Sequence, residues 1–246
     1  MLRTNFCRPD EIIASQPDRE LRAEFARDTG VRAVAGNGEV VESADVLFIG
    51  VKPGVVLPVI TEAASGLADK LVVSLAAGIR LQSMQAIASA RFLRVMTNTP
   101  SAIGRGASAI ARGSRTTEDD IALIEKIFAA IGAVVRVHED HIDAVTALAG
   151  SGPAFVYTVI EALAEGAAKV GLPADTALTL ATQTVLGASQ LAAETGMSPE
   201  ELRRMVITPG GTTAAGLAAM QEHGTSAGLS AAVEAATARG REMAAS

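Results

Sequence analysis

The chain has 246 residues, 49% hydrophobic and 20% charged, with a formal net charge of −6 at pH 7. That balance, with no basic stripe and only six Phe, one Tyr and no Trp, argues against nucleic acid as a partner and against aromatic platforms for bases or sugars. The one cysteine, Cys7, forms no internal disulfide, and no secretory pattern is evident, so the expectation is a soluble cytoplasmic protein with no membrane partner.

Short apolar runs alternate with amphipathic ones through the first half. "EIIAS" (11–15) predicts a strand, and "PDRELRAEFARDTG" (17–30) a helix with Pro17 near its start and Gly30 past its end. "VRAVA" predicts a strand and "NGEVVESA" a short helix. "DVLFIGV" (45–51) is continuously apolar after Asp45, the pattern of a strand buried on both faces. "VVLPVITEAASGLA" reads as a helix, "KLVVSLAAG" as a strand, "LQSMQAIAS" as a helix and "RFLRVMTNTP" as a strand. "TEDDIALIEKIFAAIG" (117–132) is a helix with acids in its first turn and Gly132 at its end, and "AVVRVHED" closes the half. Strands alternating with helices imply a mostly parallel α/β sheet over residues 1–139. From about Asp140 the strand signals stop, and residues 140–246 read as an all-helical domain. Several of its helices are apolar on more than one face, so it is expected to pack against another subunit. The longest uncharged stretch, 144–160, is broken by "GSGP" and is short for a membrane span, which favours a buried protein helix.

In an open α/β sheet, ligands gather beyond the C-terminal ends of the strands. Ser15 ends the first strand, with Arg19 beyond it; the pair suits a 2′-phosphate, or is a helix cap with a surface arginine. Lys52 and Pro53 follow a buried strand, either to meet a ligand in the crevice or as a snorkelling lysine before a helix start. Asn98 and Thr99 bond a carboxamide or define a turn. "AGSGPAF" (149–155) is a kink, or a helix entrance facing a cofactor. "TPGGTT" (208–213) sets a bare backbone turn and hydroxyls at a helix start, equipment for holding a carboxylate as well as for ordinary capping. The single cysteine and three histidines have no metal-ligand spacing, and no nucleophile elbow or phosphate-binding G-x-x-x-x-G-K-[ST] loop occurs. A crevice with an anion site but no nucleophile suits chemistry carried by a cofactor, with hydride transfer first.

"ELRRMVITPGGTTAAGLAAMQ" resembles the signature segment of pyrroline-5-carboxylate reductases, and "DVLFIGVKP", "LVVSLAAG", "RVMTNTP", "DAVTALAGSGPAF" and "QTVLGA" recur in that family in the same order. The resemblance runs from about Glu11 to the C-terminus. It implies a Rossmann-like sheet domain followed by a helical dimerisation domain, and reduction of 1-pyrroline-5-carboxylate to L-proline with NADPH, or alternatively NADH. It implies that Ser15 and Asn37 contact the adenosine-ribose side of the cofactor, and that Val51, Lys52 and Pro53 line its path with Ala76, Ala77, Gly78 and Asn98. Ser151 and Gly152 then face the nicotinamide and substrate, Gly210, Gly211, Thr212 and Thr213 hold the substrate, and Glu139 lies near the site. Thr213 and Lys52 are the catalytic candidates. The implied assembly is a homodimer that associates further. Where the family often has Ser, this chain has Ala149.

The family pattern opens with a strand and a Gly-rich turn, and this chain shows neither. The expectation is an incomplete, N-terminally truncated sheet whose neighbouring strands lose a partner, and a diphosphate without its usual cradle. The alternative function is therefore an oligomerising remnant with impaired catalysis.

Overall fold

The computed structural model describes residue 2 and residues 6–245. The chain divides into two compact units: Met1–Ser151 with Ala236–Ser246, and Gly152–Ala235.

The first unit carries seven strands: β1 (Ile13–Ser15), β2 (Arg32–Val34), β3 (Val46–Ile49), β4 (Leu71–Ser74), β5 (Arg91–Met96), β6 (Gly106–Arg112) and β7 (Gly132–Arg136). Five helices connect them: α1 (Arg19–Thr29), α2 (Asn37–Ser43), α3 (Pro53–Ala63), α4 (Leu81–Gln85) and α5 (Glu118–Ala129). β1 and β2 form a parallel pair, while β3 to β7 form a separate five-stranded sheet in chain order. Among the described residues, β1 and β3 each have a ladder partner on one edge only. Every pairing is parallel except that of β5 with β6.

The pleat sorts side chains onto two faces. Val72, Phe92, Ala109 and Ala111 point to the side covered by Val56 and Ile60 of α3 and Met84 of α4. Leu71, Val73, Leu93, Val95 and Ile110 point to the side covered by Ile121, Ile124 and Phe128 of α5. Helices on both faces are why β4 is buried along its whole length.

Two details differ from the sequence reading, at β6 and at Gly132. β6, "GASAIAR", was not among the expected strands. Its small residues carry little β-propensity, and its extended form is fixed by ladders to β5 on one edge and β7 on the other. α1 starts just after Pro17 and ends before Gly30, as expected: Asp18 is its cap, with a carboxylate that accepts from the amides of Glu20 and Leu21, and Gly30 closes the helix with φ 70°. Gly132 does not end α5 but starts β7, opposite Gly106.

After the 3-10 turn Glu139–His141, α6 (Ile142–Val145) passes into a π-helical turn, Thr146–Gly150. The second unit follows with α7 (Gly152–Lys169), α8 (Ala174–Thr195), α9 (Pro199–Met205), α10 (Thr212–Glu222) and most of α11 (Thr225–Ala245). α7 and α8 pack on each other. Within these helices only Ala177 and Ala181 are buried, while Leu178, Leu180, Leu186 and Leu191 are each half exposed or more. The helical run Glu139–Lys169 is long and apolar enough to cross a membrane by length and composition alone. Only 6% of its apolar window is buried, so the chain's own fold does not supply the burial expected for 144–160.

At α5, Thr117 and Asp120 form a reciprocal capping box, and Arg91 Nε donates to Asp120 Oδ2 at 2.9 Å. Burial pushes the Asp120 carboxyl up, but the Thr117 hydrogen bonds and the Arg91 guanidinium outweigh it and hold it below its ordinary 3.8. Its stabilisation is present above the unfolded pKa and is lost as pH falls through the lower folded pKa. Asp120→Asn is expected to cost about 1–2 kcal/mol at pH 7. The deficit should shrink below about pH 4 in urea titrations; a deficit independent of pH would contradict this assignment.

A Cβ on Gly132, at φ 150°, would overlap the Gly106 carbonyl oxygen and amide nitrogen, which are backbone and cannot swing away. Gly132→Ala is expected to lower stability by about 3 kcal/mol or more. At Gly38, with open space around it, Ala is expected to be harmless or stabilising. Equal urea midpoints for the two variants would refute the close-approach account.

Candidate active site

The parallel strands deliver their C-terminal ends at Ser15, Ile49, Ser74 and Met96, and the residues after them are the candidates. After β1, the Ser15 hydroxyl donates to Asn37 Oδ1 at 2.8 Å, joining two of the expected cofactor residues. Arg22 Nη1 bonds the Gln16 and Pro17 carbonyls and holds this turn, while Arg19 forms no ion pair among the described residues. No carboxylate follows directly on β1; Asp18 spends its oxygen on the first amides of α1. The N-terminus of α1 therefore already holds its own anion, and does not fit a diphosphate.

After β3, Val51 is exposed and Lys52 takes the N-cap position of α3, with Pro53 in the first turn. The Lys52 carbonyl accepts from the Val55 amide at 2.9 Å, and its ammonium is exposed and without an ion pair among the described residues. After β4, the Leu75 amide donates to the Ile49 carbonyl, carrying the ladder one step past the strand. Ala76 and Ala77 follow, half-buried, and Gly78 turns the chain with φ 74°. Pro53 and Gly78 line one cleft of about 540 Å³, together with Gly54, Leu57, Arg80 and Met243.

Asn98, after β5, is bonded at both ends of its amide. Its Oδ1 accepts from the Ala107 amide at 2.9 Å, and its Nδ2 donates to the Ala149 carbonyl at 3.1 Å. Pro153 lacks the N–H that would meet Ala149 from four residues on, so the side chain of Asn98 meets it instead. The π-turn is closed by the Ser151 amide on the Thr146 carbonyl at 2.8 Å. The Met96 methyl packs against Gly150 of this turn, where a Cβ would require that side chain to shift. Asn98 thus anchors the π-turn at Ala149, two residues before the end of this part of the first unit.

Glu139 is committed within the first unit. Its Oε1 accepts from the Leu81 amide at 2.6 Å and from Arg94 Nη1 at 2.9 Å. Arg94 was not singled out from the sequence. Its signal is a charge on the inward parity of β5, where "RFLRV" otherwise alternates apolar faces.

The 208–213 turn belongs to the second unit. Pro209 and Gly210, the latter at φ 71°, form a tight turn closed by the Gly211 amide on the Thr208 carbonyl at 3.0 Å. A side chain on Gly211 would overlap the Thr208 hydroxyl. α10 then starts at Thr212 with no side-chain cap. The first amide to find a helical acceptor is that of Ala215, on the Gly211 carbonyl. Thr212 is exposed and Thr213 half-buried, and neither hydroxyl has a hydrogen-bond partner among the described residues. Unfilled N–H groups, a helix dipole and two unbonded hydroxyls are the features by which a helix start can accept an anion.

Residues 139–243 match the family described as pyrroline-5-carboxylate reductase dimerisation, and residues 1–78 match one described as NADP oxidoreductase, coenzyme F420-dependent. A pyrroline-5-carboxylate reductase of Pisum sativum is 42% identical over 94% of this chain and 85% of its own length. The structure of a Coxiella burnetii pyrroline-5-carboxylate reductase superposes with a TM-score of 0.90 at 34% identity, over 96% of this chain and 89% of that one. A Plasmodium falciparum pyrroline carboxylate reductase with NADP bound superposes with a TM-score of 0.87 at 25% identity, over 98% and 90%.

Asn98→Ala strands the Ala107 amide and the Ala149 carbonyl together, and is expected to cost about 2–3 kcal/mol in urea unfolding. Asn98→Asp keeps the acceptor and loses the donor, so it should fall between. Wild-type stability of the alanine variant would refute the anchoring role.

Proposed function

This chain belongs to the pyrroline-5-carboxylate reductase family, and we propose that it reduces 1-pyrroline-5-carboxylate to L-proline with NADPH, NADH being the poorer donor. The observation that carries the reading is the uncapped start of α10 at Gly210, Gly211, Thr212 and Thr213, with its free amides and hydroxyls. The substrate is a carboxylate beside a C=N bond. In this reading the amides and the Thr212 hydroxyl hold the carboxylate, and the Thr213 hydroxyl bonds the ring nitrogen. The nicotinamide supplies the hydride. The protonated imine is already electrophilic and its nitrogen ends as an amine, so no strong base is needed. What the protein contributes is positioning and exclusion of water.

Ser15 and Asn37 would hold the adenosine-ribose side. Arg19 and the lack of a carboxylate directly after β1 favour a 2′-phosphate there. Val51, Lys52, Pro53, Ala76, Ala77, Gly78 and Asn98 would line the path to Ser151 and Gly152, with the Lys52 ammonium meeting a polar group of the ligand. The functional boundary lies at 139/140, and the exposed leucines of α7 and α8 are covered by a second copy, as a cytoplasmic homodimer that assembles further. A second reading, an oligomerising chain of impaired catalysis, is favoured by the division of the sheet between β1 and β3 and by the Asp18 carboxylate at the start of α1.

The test is NADPH oxidation with the imine, beside a binding titration of NADPH. Turnover is expected, with Thr213→Val lowering kcat/KM by about 10- to 100-fold as a transition-state hydrogen bond is lost. A correctly folded dimer that neither binds nor oxidises NADPH would refute the enzyme and establish the second reading.

A further inference from the structure

We propose that the buried Arg94–Glu139 ion pair is a clasp that holds the 75–81 turn in place, making Glu139 a positioning residue rather than a substrate ligand. The inference rests on the reading that Ala76, Ala77 and Gly78 line the cofactor path.

The clasp closes both ends of that turn. Arg94 lies opposite Ser74 in the β4–β5 register, where the turn leaves the sheet. Glu139 Oε1 receives Arg94 Nη1 at 2.9 Å and the amide of Leu81 at 2.6 Å, where the turn enters α4. One residue along, Arg80 Nη1 donates to Asp140 Oδ1 at 3.3 Å. Two successive residues of the 3-10 turn Glu139–His141 thus hold two successive residues of the 75–81 turn. The same 3-10 turn continues through α6 into the π-turn, where Ala149 is held by Asn98, four residues after Arg94 on β5. β5 and the segment just after it therefore grip the 139–150 run at two points, and with it both the expected cofactor turn and the approach to Ser151.

The energetics argue against a simple stabilising role. The Arg94 side chain is 4% exposed and that of Glu139 is 18% exposed. Arg94 Nε and Nη2 are buried with no partner among the described residues. A desolvated guanidinium with unmade hydrogen bonds is costly, and apolar residues of similar volume generally stabilise a core as well or better. What apolar residues cannot do is fix a carboxylate oxygen where two N–H groups from different elements converge.

The test uses the full chain with Arg94→Met and Glu139→Leu combined, and Glu139→Gln alone. The double variant is expected to keep or raise the unfolding midpoint. Leu81 amide exchange should accelerate by about tenfold or more, and KM for NADPH should rise by a similar factor with a smaller change in kcat. Glu139→Gln retains the acceptor oxygen, so Leu81 should stay protected and KM near wild type even where stability falls. A double variant with wild-type exchange and wild-type KM would overturn the clasp, as would Glu139→Gln exchanging as fast as wild type does when unfolded. Should wild type itself show no turnover, the proposed function fails, while amide exchange still decides whether the clasp exists.

Discussion

Pro153 removes one N–H from the chain, and the carbonyl of Ala149 has to be met from elsewhere. Asn98 meets it, and because its other amide atom is held by the backbone of Ala107, the bond fixes the π-turn to the ends of two strands at once. The strand that delivers Asn98 is β5, which pairs parallel with β4 and antiparallel with β6. The π-turn fits against this strand because Gly150 leaves space for Met96, the last residue of β5. Position 98 therefore depends on Pro153, on Gly150 and on a strand reversal between β5 and β6. None of these is a catalytic group.

Two helices of the first unit have their starts filled by their own side chains. Asp18 fills the first amides of α1, and Thr117 with Asp120 fills those of α5. α10, like α2 and α3, starts without a side-chain cap: its cap position is a glycine, its exposed Thr212 and half-buried Thr213 hydroxyls are unbonded among the described residues, and its first-turn amides are left over. An N-terminus capped by its own side chain is finished as structure. One that is not has capacity for a ligand, and the glycines that leave it bare also keep side chains out of the approach.

Much of this was legible in the sequence where periodicity or a cap residue carries the information. β3 and β4 are continuous apolar runs because helices cover both faces, and α5 announces itself through Thr117 and its acids. β6 was not legible, because its alanines and its one serine are strand-forming only between two partners supplied by distant sequence. Of the candidate site, the "VKP", "TNTP" and "TPGGTT" positions were marked by residue type. The commitment of Glu139 to Arg94 and Leu81 was not, since a contact across 45 residues, and another across 58, leaves no local pattern. Arg94 carried a trace of it as a charge at an inward position of a strand.

The second unit shows what an amphipathic pattern means when both sides of a helix are apolar. α7 and α8 pack on each other yet bury completely only Ala177 and Ala181. Leu163, Leu178, Leu180, Leu186 and Leu191 are each about half exposed. Covering one such leucine is worth about 1 kcal/mol from its exposed half, so covering five approaches the lower end of the whole stability of a domain. A helical unit with so little core of its own would gain its stability largely from whatever covers those side chains. If a second copy does so, folding and association are linked, and the stability of the unit rises with protomer concentration. The start of α10 lies in this same unit, so the order of the 208–213 turn would follow the assembly that stabilises the helices around it.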